Sequence, residues 1–203
     1  AETGKPIIAS TGMATVGELD DLVRTARDNG CEDLTLLKCT SSYPASPAGT
    51  NIRTIPHMKE LFGCRVGLSD HTLGVGAAVA SIALGATVIE KHFTLSRADG
   101  GVDSAFSMEP DEFAQLVREC RTAYEALGEI RYAPQEQEKE SLSFRRSLYV
   151  VKDVKKGERF TEENVRSIRP GLGLSPKYYD MVLGKVASRE IARGTAMRWD
   201  LIE

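Results

Sequence analysis

The sequence predicts an α/β fold, a parallel sheet built from βα units and followed by a small β-rich module. Two observations predict the sheet. Short apolar runs that end in polar residues recur at steps of roughly 25 to 30 residues, and the segments between them carry an apolar residue every three or four positions. A third observation predicts the module: beyond a polar stretch near residue 130 the helical periodicity gives way to short segments punctuated by glycine.

The apolar runs are Pro6-Ile7-Ile8-Ala9-Ser10, Leu34-Thr35-Leu36-Leu37-Lys38-Cys39, Arg65-Val66-Gly67-Leu68-Ser69 and Thr87-Val88-Ile89-Glu90-Lys91-His92. Their near-continuous apolar character is that of strands buried on both faces. Val16, Leu19, Leu22, Val23 and Ala26 mark the first helix, opened by a Thr15-x-x-Glu18 capping box and stopped near Gly30. Ile52, Ile55, Met58 and Phe62 mark the next, Gly74 to Ala78 fall in a small-residue helix, and a last helix covers Pro110 to Leu127, before Gly128. The polar stretch around Pro134 to Glu140 has no apolar face and reads as a linker, placed at 131–144. After it, Ser147-Leu148-Tyr149-Val150-Val151 is a strand, Lys155-Lys156-Gly157-Glu158 a turn, and Thr161-Glu162-Glu163-Asn164 a capped short helix.

Four βα units make half of a (β/α)8 barrel, and an open four-stranded sheet would leave two bare edges. The expected organisation is therefore the C-terminal half of a TIM barrel at 1–130, the linker at 131–144 and the small module at 145–203. On this reading the chain is the C-terminal part of a longer protein.

Composition excludes several function classes. Hydrophobic residues make up 41% and charged residues 27% of the 203, which describes an ordered globular chain. The net charge of −3, with Lys and Arg interleaved among Asp and Glu, gives no basic stripe for a nucleic acid. Cys31, Cys39, Cys64 and Cys120 form no C-x-x-C pair, so they read as reduced thiols rather than a disulfide framework or zinc knuckle. No apolar run approaches the roughly 18 residues of a membrane span, and no basic-then-apolar leader opens the chain, so no membrane partner and a cytoplasmic location are expected.

In a barrel of this kind chemistry gathers at the C-terminal ends of the strands. Polar residues fall there: Ser10-Thr11, Thr40-Ser41-Ser42-Tyr43, Ser69-Asp70-His71-Thr72 and Glu90-Lys91-His92. Side chains alternate along a strand, so Ser69 shares a face with His71, and Glu90 with His92. Adjacent strands lie about 4.8 Å apart, close enough for both pairs to enter one pocket. Two imidazoles beside a carboxylate suit a divalent metal, either as two histidines and a carboxylate or as two histidines completed by water and substrate oxygen. Such a metal acts as a Lewis acid on a carbonyl. Ser10 and Ser69 can hold a phosphate through hydroxyls and neighbouring amides. His57, on a helix beside Lys59 and Glu60, is assigned to the surface, and Gly74-Val75-Gly76 lacks the third glycine of a nucleotide fingerprint.

Several of these stretches carry a family resemblance. Lys5 to Met13, Cys39-Thr40-Ser41-Ser42-Tyr43-Pro44, Gly67-Leu68-Ser69-Asp70-His71-Thr72 and Glu90-Lys91-His92-Phe93-Thr94 resemble successive strand ends of the N-acetylneuraminate and pseudaminate synthase family. The segment from Arg146 to Glu203, with Ile168-Arg169-Pro170-Gly171 and Leu183-Gly184-Lys185, resembles that family's antifreeze-like (SAF) domain. Asp103 to Met108 and Leu36 to Pro44 look more like the pseudaminate branch, with Ser41 where N-acetylneuraminate synthases carry Asn; legionaminate synthases are the nearer competitor.

The resemblance implies condensation of phosphoenolpyruvate with an open-chain acetamido sugar, 2,4-diacetamido-2,4,6-trideoxy-L-altrose in the pseudaminate branch. It implies that His71 and His92 bind Mn²⁺ or Mg²⁺, and that Ser10, Ser41 and Ser69 face the phosphate or carboxylate of phosphoenolpyruvate. Glu90 and Tyr43 would orient substrate and water, with Glu90 a general base. Asp103 would contact sugar hydroxyls, and Arg169 would reach the other subunit's barrel in a domain-swapped homodimer. The family's first four strands, with their phosphate-binding lysines and a catalytic glutamate, have no counterpart in the chain. The rival readings are an inactive sugar-binding half-barrel and an ice-binding C-terminal module.

Overall fold

The computed structural model describes residues 1–203 and divides them into two compact units, Ala1–Glu129 and Ile130–Glu203. In the first, β1 (Ile7–Ser10), β2 (Leu34–Cys39), β3 (Arg65–Asp70) and β4 (Val88–Lys91) form one parallel sheet in the order β1-β2-β3-β4. Sequential parallel strands with helices between them make an arc of a (β/α)8 barrel. Burial follows position in the arc: β2 and β3 are buried almost throughout, whereas β1 alternates between half-buried and exposed and β4 is half-buried except at the exposed Glu90.

Strand alternation gives the sheet two unlike faces. Ile7, Ala9, Leu34, Leu36, Val66, Leu68 and Ile89 point towards the helices and pack with Leu19, Val23 and Ala26 of α1 (Val16–Asp28) and Ile55, Met58 and Phe62 of α2 (Thr54–Phe62). The opposite face carries Ile8, Ser10, Leu37, Cys39, Gly67, Ser69 and Glu90, and there Ile8 is 54% exposed. Helix α1 starts where its capping box sits: Thr15 N–H donates to Glu18 Oε2 at 2.7 Å and Glu18 N–H to Thr15 Oγ1 at 3.4 Å. Helix α2 stops at Gly63, whose φ of 58° is left-handed. Helix α3 (Gly76–Ala83) packs Ala78 with Leu116 of α4 (Pro110–Leu127) and with Met108.

The strand count of four omits one rung. The chain leaving β4 forms two 3₁₀ turns and then runs parallel to it, with Met108 N–H donating to the His92 carbonyl and Thr94 N–H to the Met108 carbonyl, both at 2.9 Å. Met108 therefore closes the arc before α4 begins.

The second unit contains a two-stranded antiparallel sheet, β5 (Ser147–Val150) with β6 (Val165–Ile168), extended by isolated bridges such as Val154 with Ile191 and Ala187 with Ile202. Leu148, Val150, Val154, Phe160, Val165, Val182, Ile191, Met197 and Leu201 form its core, joined by the short helix α5 (Tyr179–Val182). Residues 131–144 lie within this unit and carry 3₁₀ turns at Glu136–Glu138 and Glu140–Phe144. The capped short helix expected at 161–164 is a turn instead. Asn164 Oδ1 takes the Thr161 N–H at 2.7 Å and Val165 enters β6 at once, so no second helical turn can form.

Candidate functional site

The last rungs of the sheet bring the polar strand ends together. Cys39 pairs with Ser69 and Ser69 with Glu90 in register, so the three sit in one row on the helix-free face. Ser69, almost fully buried, donates from Oγ to Glu90 Oε1 at 2.7 Å and fixes the carboxylate. One step further out stand His71 and His92, their ring centroids 5.1 Å apart. Tyr43 covers His71 at 4.3 Å between centroids and approaches His92 at 5.7 Å. Phe106, from the turn after β4, completes the ring cluster at 5.1 Å from His92.

The surroundings of each imidazole matter for its chemistry. His71 Nδ1 lies 2.9 Å from the Thr40 carbonyl, an acceptor only, so Nδ1 carries the proton and Nε2 keeps its lone pair. This tautomer is the one a metal-binding imidazole needs, with the second nitrogen held by a backbone oxygen. Near His92, Asp103 Oδ2 stands 3.6 Å from Nδ1, beyond hydrogen-bond distance. No three His, Cys, Asp or Glu side chains cluster as a metal cage. Two imidazoles, with other positions open to water or substrate oxygen, are the donor set this geometry offers.

The remaining expected site residues are placed less uniformly. Ser10, at the end of β1, is exposed, and the adjacent Thr11 is tied to β2 by accepting the Cys39 N–H at 3.2 Å. Ser41 is exposed with its Oγ 3.8 Å from Cys39 Sγ, beside the Gly12 turn. Tyr43 is half exposed over the histidines. Arg169 belongs to the other compact unit, where it is exposed at the end of β6. The loop after it is held by Ser147, whose buried Oγ donates to the Pro170 carbonyl at 2.7 Å and accepts the Gly173 N–H at 2.9 Å.

Sequence reasoning gave no site role to Cys39, Thr40 or Phe106. Cys39 has a readable signal, since alternation puts it on the face of Ser69 and its Sγ lies 4.0 Å from His71 Nδ1. Thr40 acts through its carbonyl and Phe106 through a loop, so neither has one. Lys38, whose Nζ donates to the Cys39 carbonyl and Thr40 Oγ1, has its pKa pushed down by burial.

The model of the NeuB family matches residues 1–132, and that of the SAF domain matches residues 145–203. The chain belongs to the NeuB family. It is 46% identical over 198 residues to the pseudaminic acid synthase of Campylobacter jejuni, covering 98% of this chain and 58% of that protein. To the N,N'-diacetyllegionaminic acid synthase of the same organism it is 39% identical, covering 98% of this chain and 60% of the relative. The crystal structure of spore coat polysaccharide biosynthesis protein spsE from Bacillus subtilis superposes with a TM-score of 0.60 at 30% identity, covering all of this chain and 62% of that one. The chain thus spans somewhat over half the length of the NeuB relatives it matches, and its parallel arc is half of their barrel. No helix in it is long and apolar enough to cross a membrane.

Proposed function

We propose that the protein carrying this chain is a pseudaminic acid synthase, condensing phosphoenolpyruvate with 2,4-diacetamido-2,4,6-trideoxy-L-altrose. The observation that carries the reading is the juxtaposition of His71, His92 and the Ser69–Glu90 pair on one face of the sheet, in a chain nearer to a pseudaminate synthase than to a legionaminate synthase of one organism. His71 and His92 would hold Mn²⁺ or Mg²⁺, and such an ion would supply polarisation of a carbonyl.

In the reaction, C3 of phosphoenolpyruvate bonds to the aldehyde carbon, whose oxygen takes up a proton. Water adds at C2 and gives up a proton, leaving a hydroxyl; as that hydroxyl loses its own proton to form the keto group, the C2–O bond to phosphate breaks and the departing phosphate carries a proton away. Glu90, held by Ser69, is placed to orient that water and receive its proton. Ser10, Ser41 and Ser69 bind the phosphate or carboxylate of phosphoenolpyruvate. Tyr43 walls the pocket against His71, and Asp103 meets sugar hydroxyls while drawing on the Nδ1 side of His92. Arg169 reaches the acetamido group from the partner subunit of a homodimer, in a cytoplasmic enzyme, with 1–130, 131–144 and 145–203 as half-barrel, linker and SAF domain.

The test is phosphate release by the natural protein with phosphoenolpyruvate, Mn²⁺ and the precursors of pseudaminate, legionaminate and N-acetylneuraminate in turn. Release with the L-altrose sugar at least about tenfold faster than with the others is expected, that factor being worth about 1.4 kcal/mol of transition-state binding. Equal or faster release with another precursor reassigns the substrate. No release with any of them points to a sugar-binding module.

A further inference from the structure

The last rung of the β3–β4 ladder pairs Asp70 with Lys91, and the next residue on each strand is a histidine of the site. Lys91 Nζ donates to Asp70 Oδ2 at 2.7 Å and to the Thr72 carbonyl at 2.6 Å, and Asp70 Oδ1 accepts the Thr72 N–H at 2.9 Å. The two side chains are 0% and 3% exposed. Asp70 and Thr72 flank His71, and Lys91 precedes His92. Three bonds therefore close a loop around the backbone of one histidine and fasten it to the residue before the other.

Alternation puts Asp70 and Lys91 on the helix side of the sheet, away from Ser69, Glu90 and the two imidazoles. The pair is thus outside every role assigned so far. An ion pair there is a costly way to join two strands, because two charges leave water and an apolar pair of similar volume holds a core at least as well. An apolar pair cannot, however, bond the amide and the carbonyl of Thr72, the residue that follows His71. His71 is also tied towards β2, by Nδ1 to Thr40 and by its carbonyl to the Ala45 N–H, and the His92 carbonyl is tied towards Met108. The Asp70–Lys91 bonds add a side-chain cross-link to the ladder between these two strand ends.

We propose that Asp70 and Lys91 are positioning residues that set the spacing of the His71 and His92 rings, and through it the affinity of the site for a divalent metal. The inference rests on the two-histidine metal reading above. Partners outside the ligand shell change metal affinity by about 10- to 100-fold when removed.

The experiment is direct Mn²⁺ titration of the natural protein without substrates, by calorimetry or by loss of the free-Mn²⁺ paramagnetic resonance signal, alongside a thermal melt. Asp70→Asn combined with Lys91→Met removes the bonds from Lys91 without leaving a buried charge unpaired, and Asn keeps an oxygen for Thr72. The expected result is a cooperative melt and Mn²⁺ binding about tenfold or more weaker than wild type, towards the level of His92→Ala. A folded double variant with wild-type Mn²⁺ affinity overturns the proposal. If the double variant does not fold, Asp70→Asn alone decides the matter, with weakened binding supporting the clamp and unchanged binding refuting it. Wild-type protein that takes up no Mn²⁺ refutes the metal reading together with the clamp, which separates that failure from a failure of the clamp alone.

Discussion

Gly67 tests the geometry beneath the site most directly. It sits mid-strand in β3, two residues before Ser69, between Leu37 of β2 and Val88 of β4. A Cβ added there would stand 2.3 Å from the Val88 carbonyl oxygen and 2.6 Å from Leu37 Cδ2, where ordinary contact begins at 3.4 Å. Leu37 can turn its side chain, but the Val88 oxygen is backbone of the neighbouring strand and would have to retreat by 3.4 − 2.3 = 1.1 Å. Overpacking of a tight core costs about 1–3 kcal/mol, and a disrupted ladder hydrogen bond adds about 1 kcal/mol. Gly67→Ala is therefore expected to destabilise by about 2–4 kcal/mol, a fall in Tm on the order of 10 °C followed by circular dichroism. Val88 lies two residues before Glu90, so the same displacement should also lengthen the Ser69–Glu90 bond and lower turnover. A Gly67→Ala protein that melts with wild type would refute the strand register deduced here.

Two further outcomes follow from the same geometry. If Arg169 serves the partner's site, inactive His71→Ala and Arg169→Ala proteins, mixed and reassociated in equal amounts, should recover about a quarter of wild-type phosphate release, since half the dimers are mixed and each has one intact site; no recovery would place Arg169 in its own subunit's site or in none. Burial pushes the thiol pKa of Cys64 up, and burial together with the Asp70 charge does the same for Cys120, so both are protonated thiols at pH 8 and should be alkylated by iodoacetamide several-fold more slowly in the native protein than in urea, measured by peptide mass spectrometry.

What the sequence made legible followed from periodicity and adjacency. Placing Ser69 with His71 and Glu90 with His92 needed only side-chain alternation, and putting the two pairs together needed only sequential parallel strands. Asp70 and Lys91 were legible by the same rule, as opposite charges one residue before each histidine, yet their signal was masked because charged residues inside an apolar run look like surface. Phe106 and Met108 were not legible, because the return of the chain after β4 depends on turns that carry no period. The expected helix at 161–164 failed for a different reason: Thr161 and Asn164 supply the chemistry of a helix start, but the Asn side chain uses its oxygen to close a turn, and β5 draws the next residues into a sheet.

The two faces of the sheet divide the labour between stability and chemistry. Leu34, Leu36, Val66 and Leu68, turned towards α1 and α2, supply the apolar burial that holds the arc together, and none of them approaches the histidines. Ser69, Glu90, His71 and His92 occupy the other side, where a polar residue costs little because Glu90 and His92 reach solvent while the buried Ser69 and His71 are hydrogen-bonded to Glu90 and the Thr40 carbonyl. Substitutions on the helix side should therefore act through folding and those on the opposite side through turnover. Asp70 and Lys91 break that division, since they are charged and yet sit where apolar residues would stabilise at least as well. Gly67 breaks it in the other direction, lying on the open face but acting through packing. Gly67 and Asp70 fall within four residues of His71 and Lys91 adjoins His92, where the strand spacing that packing sets becomes the ligand spacing that the site requires.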